Sequence, residues 1–164
     1  MKKTILTLLM ALMAVLPSWA DGHADLTSIS SFEGVQEVKL GKEMIQMALA
    51  SGMDMGDQIE GLNADILKNV DEMSIYLAQN AKIKPLIEAC VNEVKDNKSY
   101  ETFASIINED GTMGIFAYTV EGGYDELLML VYSEQTGAMV MKLSGQFTPE
   151  MLQSLVKSAM SENE

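Results

Sequence analysis

The sequence predicts an α+β domain: a mostly antiparallel sheet that ends in a four-strand meander, with helices packed on one face. Three observations carry this. Between residues 32 and 160 the apolar positions switch between a period of two and steps of three and four, the marks of strands and amphipathic helices. Turn signals at Asp110-Gly111, Gly122-Gly123 and Ser133 to Gly137 separate the last four strand-like runs by only a few residues, which makes those strands antiparallel neighbours. The 164 residues, 48% of them hydrophobic, suit one domain, and no repeat, low-complexity tract or linker interrupts residues 32–160.

In chain order, Asp21 to Ser31 is small and polar and reads as a flexible lead-in. Val35 to Leu40 is a short strand with Val38 and Leu40 on one face. At Gly41 the period changes: Met44, Ile45, Ala48 and Leu49 fall at helical spacing, and Gly52 ends the helix. Gly52 to Gly61 (GMDMGDQIEG) is a loop, and Leu62, Ile66, Leu67 and Val70 follow as a brief packed segment. Met73, Ile75 and Leu77 alternate with Ser74, Tyr76 and Ala78 in a second strand. Asn80 caps a helix whose apolar stripe is Ile83, Leu86, Ile87, Cys90, Val91 and Val94; Pro85 sits in its first turn, where an N–H would lack an intrahelical partner anyway.

Tyr100 to Ile107 and Thr112 to Val120 flank the Asp110-Gly111 turn as a hairpin. Leu127 to Tyr132 is apolar on both faces and is therefore a central, doubly covered strand. Met139, Met141 and Leu143 alternate with Val140, Lys142 and Ser144 in the last strand. Thr148-Pro149-Glu150 supplies a capping hydroxyl, Pro at the first position and an acid at the positive dipole end of a closing helix. Leu152, Leu155, Val156 and Ala159 form its stripe, and residues 161–164 are a tail.

Residues 1–20 have the three-part layout of a secretory signal peptide: Lys2 and Lys3, the apolar run Ile5 to Leu16, then Pro17-Ser18-Trp19-Ala20, with cleavage expected near Ala20-Asp21. A twelve-residue run spans roughly 18 Å as a helix, well short of a bilayer core of about 30 Å. The expected mature chain has 144 residues, 9 Lys and 24 Asp and Glu, hence a charge of −15, and contains no second long apolar run. It is expected in the periplasm or outside the cell, with no transmembrane segment after cleavage. The sequon Asn97-Lys98-Ser99 is read as chance behind a bacterial leader.

Several motifs carry a resemblance. They are the Lys-rich secretory start, the segment from Phe32 to Met44 (FEGVQEVKLGKEM), the Gly122-Gly123 turn, the strand from Glu126 to Val131, Leu143-Ser144-Gly145, and the helix from Leu152 to Leu155. Over roughly residues 30–160 the chain resembles an exported family of Bacteroidetes bacteria designated domain of unknown function 4252. The resemblance implies export and an envelope location, and brings no catalytic residues with it. Many members look like lipoproteins, whereas this chain has no Cys behind its apolar run.

The inventory of side chains narrows the chemistry. The chain contains no Arg, one His (His23) and one Cys (Cys90), so an intrachain disulfide and a Cys/His zinc cluster are both impossible. The acidic balance opposes a nucleic-acid surface. Missing Arg also removes bidentate recognition of phosphate or carboxylate. Cys90 lies on an apolar stripe and reads as a small buried hydrophobe. His23, in the lead-in, reads as incidental.

Two metal patterns remain open. Met53 and Met55, with Met44 and Met47 nearby, offer the thioether sulfur that copper(I) favours. Asp54, Asp57 and Glu60 offer carboxylates to calcium, although their order departs from an EF-hand. Both patterns are also what an acidic, solvated loop would show. Glu121, Asp125, Glu126 and Glu134 flank the hairpin turns, and a facing pair could hydrolyse a glycoside; the competing reading is a solvated rim.

The expected function is therefore that of an exported, non-enzymatic envelope protein, with no cofactor, that binds another envelope protein. Its expected surface is an acidic rim carrying Met53, Met55, Tyr118 and Tyr124. The alternatives are a periplasmic calcium- or copper-binding protein using Gly52 to Gly61, and a carboxylate-based hydrolase.

Overall fold

A computed structural model describes residues 22–52, 62 and 64–161. The expected signal peptide lies outside the described residues. The elements run in the order α1 (Thr27–Ser30), β1 (Gln36–Gly41), α2 (Lys42–Ala50), α3 (Ala64–Leu67), β2 (Val70–Ala78), a 3-10 turn (Ala81–Ile83), α4 (Lys84–Asp96), β3 (Tyr100–Ile107), β4 (Gly111–Val120), β5 (Gly123–Ser133), β6 (Gly137–Phe147) and α5 (Pro149–Ser161). The six strands form one antiparallel sheet in the order β1-β2-β6-β5-β4-β3. The last four strands are the meander that the closely spaced turn signals require. No described helix is long and apolar enough to cross a membrane.

Strand β5 lies inside the sheet and is buried on both faces, as its unbroken apolar run demands. Successive residues point to opposite sides, and this splits the core in two. On one side Phe116, Leu128, Leu130 and Val140 pack under Ile87, Val91 and Val94 of α4. On the other, Ile115, Leu127, Met129, Met141 and Leu143 meet Ile45 of α2, Ile66 and Leu67 of α3, and Leu152 and Leu155 of α5. The α+β class holds, but helices cover both faces, not one. A sheet whose central strand is apolar on both sides cannot leave either side to water without exposing several large side chains.

Local chemistry sets the close approaches. A Cβ at Gly114 would fall 3.1 Å from a Val91 methyl and against the Phe116 ring, so the missing side chain lets α4 settle onto β4. Gly137 opens β6 with φ at 81°, a left-handed turn conformation that glycine adopts without a Cβ penalty. Asn80 accepts the Lys82 N–H at 3.0 Å and starts the 3-10 turn ahead of Pro85. Cys90 is buried in the first core, where burial before all else pushes its thiol up to about 12, so it is a packing residue.

The lead-in is not loose. Ala24, Leu26 and Ile29 are all buried in the first core, Ile29 with only 2% of its surface exposed. Residues 22–31 therefore form part of the domain: three apolar side chains at irregular spacing anchor a segment whose polar composition reads as solvated.

Candidate functional site

The lead-in crosses the end of the sheet formed by β3 to β6, and it does so over a seam of polar side chains. Tyr100, Tyr118 and Glu126 lie in register across β3, β4 and β5. Glu126 is only 2% exposed. Its Oε2 is 3.0 Å from Nζ of Lys142 on β6, and the Tyr100 hydroxyl donates to its Oε1. The Tyr100 oxygen in turn accepts the Ala24 N–H at 2.8 Å. Both carboxylate oxygens are thus occupied, one by a cation and one by a hydroxyl, and the hydroxyl ties down the lead-in. Burial above all, then the neighbouring Glu126 carboxylate, drives the Tyr100 hydroxyl far above its ordinary value, so it stays a donor.

The His23 ring stacks on Tyr118 with centroids 3.9 Å apart, and its Nε2 is 3.3 Å from Oδ1 of Asp125. Tyr118 also meets Tyr100 edge-to-face. The Asn97 amide donates to the Gly22 carbonyl at 3.1 Å. His23 is therefore a structural contact, correcting its reading as incidental.

These contacts move several expected surface groups inward. Glu126 is no part of a solvated rim. Tyr124, expected on a binding surface, is 8% exposed, and its hydroxyl donates to Glu101. Tyr118 is half-buried beneath His23. Neither tyrosine presents a free ring. Glu121 and Asp125 line a cleft of about 370 Å³ with Gly122, Tyr124 and Met151, whereas Glu134 is exposed in the turn at the opposite end of β5. The four acids are therefore divided among a cleft, a buried pair and a distant turn. Met53, Asp54, Met55, Asp57 and Glu60 lie outside the described residues. Among the described residues no group of three His, Cys, Asp or Glu side chains is placed to hold a metal ion.

Three tyrosines give the fold a sensitivity to alkali. The hydrogen bond to Glu101, ahead of burial, pushes Tyr124 up to about 12. Burial first, then Glu37, does the same for Tyr76. Tyr100 shifts in the same direction. A group whose pKa is higher when folded adds stability that is complete below its unfolded value, near 10, and is lost as pH rises through the folded value. Urea midpoints are expected to hold up to about pH 10 and to fall steeply toward about pH 12, with phenolate absorbance appearing as the chain unfolds. Full phenolate absorbance near pH 10 in a chain that is still folded would contradict this.

The sheet also has a face that the helices do not finish covering. Leu77, Met139, Val131, Met113 and Ile106 are direct cross-strand partners, forming one apolar row over five strands. At strand spacings of about 4.8 Å the row is roughly 19 Å long. Its ends are the most open, Leu77 at 41% and Ile106 at 45%, and the three residues between are half-buried. One row further in, Met141, Met129 and Ile115 are buried. Val38, at 43%, extends the patch toward β1. Each of these residues falls in a strand by its local pattern, but the row itself is set by cross-strand register; its sign in the sequence is a surplus of apolar strand positions over helical stripes able to cover them.

The family model described as Domain of unknown function (DUF4252) matches residues 31–155. No curated protein and no solved structure matches the chain. The matched span takes in all six strands, the second core, the first core apart from Ala24, Leu26 and Ile29, and the buried Glu126–Lys142 pair, and the chain accordingly belongs to the DUF4252 family.

Proposed function

We propose that the protein is an exported envelope protein of a Bacteroidetes bacterium that works without catalysis, by docking another protein onto the open face of its sheet. The observation that carries this reading is the apolar row from Leu77 to Ile106. A contiguous apolar patch on a charged protein marks a contact surface. Its two methionines, Met113 and Met139, adapt to varied partners at little cost in rotamer strain. The mature charge of −15 favours a partner whose apolar anchor is rimmed by Lys or Arg, and disfavours anionic lipid and nucleic acid. The leader from Met1 to Ala20 supports export.

The test is cross-linking in intact envelopes, with a basic partner identified by mass. The double variant Leu77→Lys, Ile106→Lys is expected to reduce recovery of that partner about tenfold or more, because two charges would have to be buried. Undiminished recovery from a folded double variant removes the row as the docking surface. N-terminal sequencing of the exported protein is expected to begin at Asp21; a retained leader removes the export half of the proposal.

A further inference from the structure

We infer that β1 pairs with the β1 of a second copy of this chain, in antiparallel register centred on Val38, to make one continuous twelve-stranded sheet. The pairing uses the backbone edge of β1, whereas the docking row lies on the sheet face; the two surfaces meet at Val38 and Leu77. Among the described residues the outer side of β1 is one of the two edges of the sheet, and an edge strand presents unpaired N–H and C=O groups. The other edge, β3, is blunted by a register shift between Thr102 and Ala104. Strand β1 runs beside β2 without any shift from Gln36 to Gly41.

Its sequence is self-complementary. With Val38 on the twofold axis, Val38 faces its own copy, and Glu37 faces Lys39 of the other chain twice over. Glu37 and Lys39 already lie 3.1 Å apart on one side of the strand, with side chains 36% and 63% exposed, so pairing would set four alternating charges together. The strand carries no net charge, in a protein whose mature charge of −15 makes two copies repel elsewhere. On the opposite side of β1, exposed apolar surface gathers at the same edge. Val38 is 43% and Leu77 41% exposed, and the helix that follows directly, α2, shows Met44 at 60% and Met47 at 70%. The axis of such a pair is perpendicular to the sheet, so both copies bring this surface to the same side.

Sedimentation velocity of the purified protein is expected to show a dimer that dissociates on dilution. Glu37→Lys and Lys39→Glu, made singly, oppose like charges across the axis and are expected to weaken the dimer about tenfold each, while the two combined restore it. Val38→Cys is expected to form an interchain disulfide on mild oxidation, because residues on the axis have Cα atoms about 4.5–5.5 Å apart, whereas Gln36→Cys, which faces Leu40, is not. Melting midpoints like that of the parent establish that each variant is folded. A monomer at every concentration overturns the inference. So does a dimer that ignores both single reversals, or that cross-links equally through Gln36→Cys; either result places self-association on another surface.

Discussion

Replacing Lys142 by Met is expected to cost about 3 kcal/mol of folding stability, read as a fall in the urea midpoint at constant slope. The Glu126 carboxylate is 2% exposed and the Lys142 ammonium 3.0 Å away is its cation. Without Lys142 the carboxylate keeps only the Tyr100 hydroxyl, and a buried charge with half its partners is far less favourable than one in water. The double variant Glu126→Leu, Lys142→Met is expected to regain most of the loss, since replacing a buried pair with apolar groups is often close to neutral. A loss below about 1 kcal/mol for Lys142→Met would mean that the half-open lysine is already well screened.

Phe116→Ala is expected to cost about 4 kcal/mol, the range for deleting a buried aromatic ring and leaving a cavity. Phe116 has no exposed surface, and its ring fills the space between β4 and α4 that Gly114 leaves open. Because Gly114 has no side chain, little is at hand to fill the hole. The melting midpoint should drop by more than about ten degrees for a domain of this size. A drop of only a few degrees would show that α4 can collapse onto the sheet.

The strands were legible because periodicity and turn chemistry are local. The Asp110-Gly111 and Gly122-Gly123 turns set β3, β4 and β5 beside each other, and the meander follows with no knowledge of the core. The doubly apolar run from Leu127 to Tyr132 also held the answer on helix placement. A strand covered on both sides needs helices on both sides, so that run and a one-faced helix layer could not both stand.

What escaped was non-local. Glu126 sits beside a hairpin turn among other acids, and only the β5–β6 register, which sets Leu128 opposite Lys142, brings its cation within reach. A lone Lys in an otherwise apolar strand, two positions diagonal from an acid on the same face of the neighbouring strand, was the available sign. The lead-in escaped for a different reason. Ala24, Leu26 and Ile29 follow neither period, and the groups that hold His23 and Ala24 come 102 and 76 residues later.

That separation dictates an order of assembly. His23 and Ala24 are among the first described residues to be synthesised, yet the carboxylate and hydroxyl that hold them belong to Asp125 and Tyr100. Their clasp cannot shut until the third and fifth strands exist. Residues 22–24 therefore have no anchor to close on until most of the described chain has been made.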